Sequence, residues 1–586
     1  MSRTKQENRR ERDSFRFWKA VLLAGSVLAA LKVIFVDYTL DEEYQVVMAY
    51  RRLAGDQLFG AMWEPHQTSA FACVWLMRLF QAVTGGTTGV VLFLRVCTTG
   101  IQILLSVWFC RVLRSFLRGE YAFLLGLCYF NIVPKIIQIP EFSNLQVWFF
   151  TVIVLSLIRY YERRHRLWLL WAGIGMAFEV LAYPSCLLLF PMFLVSIFLL
   201  SGGRKKDGGD RKGALADCLI FAGVCAGSAL IWLGYVLYHV PPEDFLRNLG
   251  YILSFDPTHE LAPVTGSKIA NLSAGVGRLE FLLLIIAAIG TGAWLLIGYI
   301  QERKGDSEPR RLSVLAVLLV LAAEGVQVFY WTVLGSGYEM PMIHLLALML
   351  AATLVWRVTG LRKRALIVGY AGSLVCIAAV IYMSDLTPEY AIPHGMTGAL
   401  LAAAMVVMGL EAELEEGSRR WIRIFLIGLV LVSVFGKGYT LRGGKTETNS
   451  VLGIRSVVRE GPAAGIFMNY MQAYITNSTY EEFQAYVEEG ANCLVVTNMV
   501  GTAGTSPYLF RNCQICHFSV VDPTTYDGRL LTYWELYPEK KPDVIVVDCW
   551  YGQLNEKEDS WIMRYIEEEF GYSRTVDGKY VRYYFK

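Results

Sequence analysis

Long apolar runs, separated by short basic or polar connections, dominate the chain from its start to about residue 438. Runs of about 20 apolar residues match the hydrocarbon thickness of a bilayer when helical. They fall near 17–36, 89–113, 120–138, 144–161, 166–183, 184–201, 214–238, 278–300, 312–334, 341–357, 363–384, 395–411 and 421–438, which predicts about 13 membrane-spanning helices. The run Ser69–Thr84 is shorter and is interrupted by Arg78 and Gln81, with Met77, Phe80 and Val83 at helical spacing. It reads as an amphipathic helix lying on the membrane surface, and Glu42–Leu53 reads as another.

Beyond residue 438 the period changes. Gly465–Asn469, Cys493–Asn498, Asp543–Trp550 and Tyr580–Phe585 are short apolar runs rich in strand formers, and Tyr480–Glu489 and Trp561–Phe570 carry helical patterns between them. This alternation predicts a small α/β domain. It has no Gly-rich phosphate loop and no fixed-period repeat. The predicted organisation is thus a basic N-terminus (1–16), a transmembrane domain (17–438) and a C-terminal α/β domain (439–586).

Composition agrees with this division. Of 586 residues, 55% are hydrophobic, above the 45–50% or so of ordinary soluble domains, and the mean hydropathy is +0.41. A net charge of +3 gives no basis for nucleic-acid binding. The first apolar run is long and lacks a small-residue cleavage site, so it reads as a retained anchor. Basic residues fix the expected orientation, because Lys/Arg-rich short loops stay cytoplasmic. Arg3, Lys5, Arg9, Arg10, Arg12, Arg16 and Lys19 precede or open the first run, and further clusters follow at Arg111–Arg118, Arg159–Arg166, Arg204–Lys212, Arg303–Arg311, Arg357–Arg364 and Arg419–Arg423. The N-terminus is therefore expected inside, with loop 37–88 and the C-terminal domain outside.

The candidate chemistry lies on that loop. Asp41-Glu42-Glu43-Tyr44 follows the first run, and Glu64-Pro65-His66 follows within the same loop. Carboxylates at a membrane face are costly unless solvated or paired, which makes them functional candidates. An Asp there suits a general base, although it also suits a helix N-cap. Carboxylate with imidazole would suit a divalent metal, with Glu64 and either His66 or His259 as ligands. Glu141 occupies a second outer turn, and Glu179 and Glu324 are intramembrane acids. Arg95, Lys135, Arg247 and Lys268 are the cations available for a phosphate. Of the twelve cysteines, Cys513 and Cys516 form the one close pair, read as a local disulfide or as two unrelated thiols.

Taken together, the inward N-terminus, the Asp41-Glu42-x-Tyr44 motif after the first span, two surface helices and about thirteen spans resemble the GT-C glycosyltransferases. These use polyprenyl-phosphate sugar donors, and the nearest in pattern are the protein O-mannosyltransferases and the aminoarabinose transferases. The resemblance covers roughly residues 17–440. It implies that Asp41 is the catalytic carboxylate, with Glu42 and Glu64 supporting it. It further implies that Tyr44, His66, Arg95, Lys135, Glu141 and Tyr338 contact substrate. Glu64-Pro65-His66 lacks the family's proline pair and following Lys, and Gly335-Ser336-Gly337 stands where a basic residue usually precedes Tyr338-Glu339-Met340-Pro341.

The reading is therefore an integral membrane glycosyltransferase of a bacterial plasma membrane, inverting in mechanism, with a divalent metal allowed as cofactor. Its partners would be a polyprenyl-phosphate sugar and a lipid, protein or cell-wall glycan acceptor. The rival readings are a transporter or flippase, which calls for an inverted repeat and broken helices at mid-membrane, and a protein that binds a lipid-linked sugar without transferring it.

Overall fold

The computed structural model describes residues 2–38, 40–134, 138–202, 211–253, 312–329, 332–333, 342–355, 364–383, 391–440, 454–496, 506–518, 529–550, 553–554 and 560–586. Among these residues, the first part contains fifteen α-helices: α1 (Ser2–Phe35), α2 (Leu40–Leu53), α3 (Phe71–Thr84), α4 (Val90–Leu113), α5 (Gly119–Asn131), α6 (Phe142–Arg163), α7 (Leu167–Ala182), α8 (Leu189–Gly202), α9 (Arg211–His239), α10 (Pro242–Leu253), α11 (Leu312–Phe329), α12 (Met342–Val355), α13 (Arg364–Met383), α14 (Met396–Glu413) and α15 (Arg420–Phe435). Among the described residues, eight helical segments are long and apolar enough to cross a membrane. Each predicted span that falls on described residues coincides with a helix; the one at 278–300 lies outside them.

Two details differ from expectation or refine it. The span expected at 120–138 is helical only to Asn131, because Ile132 turns extended (φ −86°, ψ 130°) ahead of Val133-Pro134, and a proline disfavours helix at the residue before it. The surface helix expected at Ser69–Thr84 is the 14-residue α3, about 21 Å long at the α-helical rise and short of a bilayer core. It buries Cys73 and Met77 while exposing Trp75, Leu79 and Val83. That one-sidedness suits an element seated at an interface.

Small residues allow the long helices to approach closely. A Cβ on Gly369 of α13 would come within 2.5 Å of Leu401 on α14 and 2.6 Å of Val154 on α6.

The C-terminal part contains α16 (Tyr470–Tyr486), α17 (Ser506–Phe510), α18 (Arg529–Leu536), α19 (Trp561–Tyr565) and eight strands: β1 (Ile454–Val457), β2 (Phe467–Asn469), β3 (Asn492–Val496), β4 (Gln514–Ile515), β5 (Val544–Trp550), β6 (Gln553–Leu554), β7 (Arg574–Asp577) and β8 (Val581–Phe585). β1 and β2 form an antiparallel pair, and the main sheet runs β4-β3-β5-β8-β7 with β6 beside β5. β3 is parallel to β4 and β5, while β8 is antiparallel to β5 and β7.

The two-residue period of a strand sends alternate side chains to opposite faces. Cys493, Val495, Val544, Val546 and Tyr583 join the same apolar core as the membrane helices. Leu494, Val496, Ile545, Val547 and Tyr584 join a second core, built with α18 and α19. Cys513 and Cys516 flank β4 and fall in different cores, and both are free thiols. The disulfide alternative is thereby corrected: the odd spacing across an extended strand points the two sulfurs apart.

Candidate active site

The turn between α1 and α2 is held by a buried ion pair and by the backbone of β2, where the Asp37 N–H donates to the Phe467 carbonyl at 2.7 Å. Glu42, in the first turn of α2, accepts from Arg95 of α4 at both oxygens, Nε to Oε1 at 3.0 Å and Nη2 to Oε2 at 2.7 Å. Both side chains are fully buried. Arg95 also donates to the carbonyls of Ile34, Val36 and Asp37 at the end of α1. A guanidinium in its fork geometry thus satisfies carbonyls that the helix end leaves without partners. Gln138 extends the contact, its backbone N–H donating to Glu42 Oε1 at 3.2 Å and its side chain to Gln102 at 3.0 Å. Arg95 and Glu42 hold each other and position the backbone at Asp41. The Asp41 side chain, Lys135, Tyr338 and His259 lie outside the described residues.

Glu141 caps α6. Its carboxylate accepts from the backbone N–H of Ser143 and Asn144, both at 2.7 Å, where the helix N-terminus favours negative charge. Gln45 of α2 reaches across to the carbonyls of Ser69 and Pro140, which ties α2 to the turns before α3 and α6. Tyr44 is buried on α2. His66 stacks on Phe142 at 4.1 Å between ring centroids and lies 5.4 Å from Tyr183. Below it runs a buried polar seam. His394 Nδ1 meets Gln146 Oε1 at 2.8 Å, and the Gln146 amide donates to Glu179 Oε1 at 2.9 Å and to Cys376 Sγ at 3.3 Å.

Glu64 stands apart from these groups. It pairs with Arg51, near the end of α2, at 2.7 Å, with both side chains fully buried. Arg51 also binds Asp56 at 2.7 Å, and Asp56 binds Lys540 of the C-terminal domain at 2.5 Å. Arg51 further donates to Tyr533 Oη and the Ala61 carbonyl, and Tyr50 donates to the Cys513 carbonyl at 2.7 Å. Trp63 inserts into the second core of the C-terminal domain, stacked on Tyr251 at 4.6 Å and edge-on to Tyr533 at 5.3 Å. Burial pushes the Glu64 carboxyl up to about 7, with Arg51 pulling the other way. Burial also works against ionised Asp56, yet Arg51 and Lys540 hold that carboxyl below its ordinary value. The sequence placed Glu64 with the chemistry; the structure joins it to the docking of the C-terminal domain. Arg51, Asp56 and Lys540 were not singled out, because charged residues 484 positions apart share no local pattern.

A metal at Glu64 does not fit these surroundings: one carboxylate oxygen is taken by a guanidinium, and burial favours the protonated form. A different donor set lies deeper. Glu179, Cys186 and Cys376 are buried with their ligand atoms within 4.8 Å of one another, and two sulfur donors with a carboxylate would, once deprotonated, suit a softer ion such as zinc.

The structure is similar to that of ArnT from Cupriavidus metallidurans in the apo state, at 10% identity and a TM-score of 0.51, over 97% of this chain and 98% of that one. It also matches the archaeal oligosaccharyltransferase AglB from Archaeoglobus fulgidus, in complex with an inhibitory peptide and a dolichol-phosphate, at 12% identity and a TM-score of 0.43 over 91% of this chain and 69% of that one. The AglB complex with zinc and sulfate matches at 12% identity and 0.45 over 90% and 68%. No protein-family model matches the sequence, and no curated protein sequence matches it. The likeness to ArnT extends over nearly the whole of both chains, so the architecture is that of a polytopic GT-C membrane protein with a sheet-containing C-terminal domain.

Proposed function

We propose that this protein is a membrane glycosyltransferase that moves a sugar from a polyprenyl-phosphate donor to an acceptor hydroxyl or amine at the outer face of a bacterial plasma membrane. The N-terminus would be cytoplasmic and the C-terminal domain outside. Asp41 is the general base, and the acceptor attacks the sugar opposite the departing lipid phosphate, inverting the anomeric centre. The observation that carries this reading is the Glu42–Arg95 pair, which immobilises the turn before α2. A base works when its approach is fixed by its surroundings, and here a buried, doubly hydrogen-bonded arginine fixes the residue next to Asp41.

Glu42 and Arg95 are positioning residues in this scheme. His66, Glu141 and Tyr44 shape the wall beside the donor sugar, and Lys135 and Tyr338 are further donor contacts. Glu64 serves the C-terminal domain rather than the reacting atoms. No step is assigned to a metal. The acceptor class, whether lipid, protein or cell-wall glycan, is chosen by the C-terminal domain, which is built against the same loop.

The test is sugar release from a radiolabelled polyprenyl-phosphate hexose by purified protein in detergent. Wild type should turn over, and Asp41→Asn should lose turnover by at least about a hundredfold, the scale of a general base, while keeping donor binding. Equal turnover by the two proteins would remove Asp41 from the mechanism. Donor binding without turnover by wild type would remove the enzyme reading itself.

A further inference from the structure

Among the described residues, one lysine is buried without a carboxylate. Lys437 follows α15, in the turn Gly436–Thr440, and is the penultimate residue of the candidate span Glu416–Gly438. It is 1% exposed. Its ammonium has one hydrogen-bond acceptor among the described residues, the Phe130 carbonyl at 2.9 Å, and it sits 4.1 Å from the centre of the Phe130 ring. An ammonium offers three N–H donors, and a buried charge without a counter-ion is costly. Intramembrane cations of this kind mark ligand sites by default.

The surroundings supply further polar groups. One turn earlier on α15, Ser433 meets His344 Nε2 at 3.5 Å, and His344 is itself paired with Glu324. That acid is engaged through Oε1 by the imidazole and forms no ion pair with Lys437. Gln327 accepts from the backbone N–H of Ile343 and His344 through Oε1, and its buried Nε2 has no hydrogen-bond partner among the described residues. Asn131, next to Phe130, donates to Ser26 of α1 at 2.9 Å. The helices α1, α5, α11, α12 and α15 thus bury two donors short of acceptors, Lys437 Nζ and Gln327 Nε2, together with two carbonyl-type oxygens short of donors, Asn131 Oδ1 and Glu324 Oε2, among the described residues.

Of the cations expected from the sequence to hold phosphate, Lys135 and Lys268 lie outside the described residues, and the two described ones are engaged elsewhere. Arg95 is consumed by Glu42 and three carbonyls, and Arg247 is paired with Asp244. Position also favours Lys437. Gly438 packs on Ala29 of α1, six residues before the end of that helix at Phe35, hence about 9 Å along its axis from the turn that carries Asp41.

We infer that Lys437 is the cation that binds the phosphate of the polyprenyl-phosphate lipid, with the prenyl chain running down the adjoining helices. This rests on the proposed donor class. Lys437 binds the donor phosphate before transfer and the released lipid phosphate after it, and it makes no covalent bond.

The experiment compares binding of a polyprenyl phosphate with binding of the corresponding polyprenol by the full-length protein in detergent. Wild type should prefer the phosphate by tenfold or more, about 1.4 kcal/mol. Lys437→Gln keeps a donor for the Phe130 carbonyl but loses the charge; it should bind the alcohol as wild type does and show no preference. Lys437→Arg, which keeps the charge, should retain the preference. A Gln variant that still prefers the phosphate would reduce Lys437 to a helix cap and overturn the inference while leaving the donor class intact. A folded Arg variant that loses the preference would overturn it in the same way. Wild type that does not distinguish phosphate from alcohol would overturn both the inference and the donor class.

Discussion

Removing Lys540 should loosen the C-terminal domain from the membrane part of the molecule. Lys540 Nζ lies 2.5 Å from Asp56 Oδ1, and the two side chains are only 10% and 6% exposed. Losing one partner of a buried ion pair costs about 3–5 kcal/mol, because the other charge is left without compensation. Asp56 would still have Arg51 at 2.7 Å, so Lys540→Met belongs at the low end, about 3 kcal/mol.

The readout is thiol modification. Cys493, Cys513, Cys516 and Cys549 are all buried in the C-terminal domain, and Cys513 lies where Tyr50 of α2 donates to its carbonyl. When opening is fast and reversible, the labelling rate follows the open population. A loss of about 3 kcal/mol should therefore raise the Cys513 rate roughly 150-fold, measured peptide by peptide by mass spectrometry after a maleimide pulse. Lys540→Arg should label close to wild type. If Lys540→Met labels at the wild-type rate, the Arg51–Asp56–Lys540 network does not hold the domain, and Trp63 with its aromatic neighbours and the hydrogen bonds of Tyr50, Thr87 and Gly89 to the domain's backbone must do so.

The pH dependence of the same rate should separate the two acids. Glu64 sits near 7 instead of 4.5, so the folded state holds its proton more tightly than the unfolded state. That stabilisation is complete below about 4.5 and is lost as pH rises through about 7, at most about 3 kcal/mol; Glu64→Gln should abolish the part of the labelling increase that occurs between pH 5 and 8. Asp56 acts in the opposite sense: its depressed carboxyl contributes above its ordinary value and is lost in acid, so the acid limb should persist in Glu64→Gln and vanish in Asp56→Asn. Gly369→Ala should lower the melting temperature by driving a methyl to within 2.6 Å of Val154, an overpacking cost of about 1–3 kcal/mol, and an unchanged melting curve would mean that the α6–α13–α14 crossing adjusts freely.

The membrane part was legible in the sequence because length and hydropathy decide it: an apolar run of about 20 residues has few alternatives to a spanning helix. α3 was legible for the complementary reason, its run being too short to cross and interrupted by Arg78 and Gln81. Strands β3, β5 and β8 were readable as continuous apolar runs covered on both faces. β4 and β7 were not, since one is two residues long and the other is largely exposed, leaving no period to detect. Within the site, the acids on loop 37–88 were found, but their partners were not. Glu42 and Glu64, 22 residues apart on one loop, looked like one cluster; two arginines on different helices divide it. Lys437 has a visible signal, a cation at the C-terminal end of the run 421–438, though one that a terminal snorkelling lysine would also give.

The two clusters are joined by α2. Its first turn carries Asp41 and Glu42, the latter held by Arg95 of α4. Its last turn carries Arg51, held by Asp56 and Glu64 and, through Asp56, by Lys540. Between them Gln45 ties the middle of the helix to the turns before α3 and α6. A helix of 14 residues is stiff over its roughly 20 Å length, so a displacement at Arg51 is transmitted to Asp41 unless the Glu42–Arg95 pair absorbs it. Docking of the C-terminal domain thereby constrains the backbone that carries the proposed base, through α2 and through the Phe467 carbonyl that accepts from Asp37 at 2.7 Å. On this argument a loosened domain, as in Lys540→Met, lowers turnover through kcat, whereas loss of the lipid-phosphate cation at Lys437 acts on the donor's affinity. The two effects are separable because the helix that links Lys540 to Asp41 is not the helix that ends at Lys437.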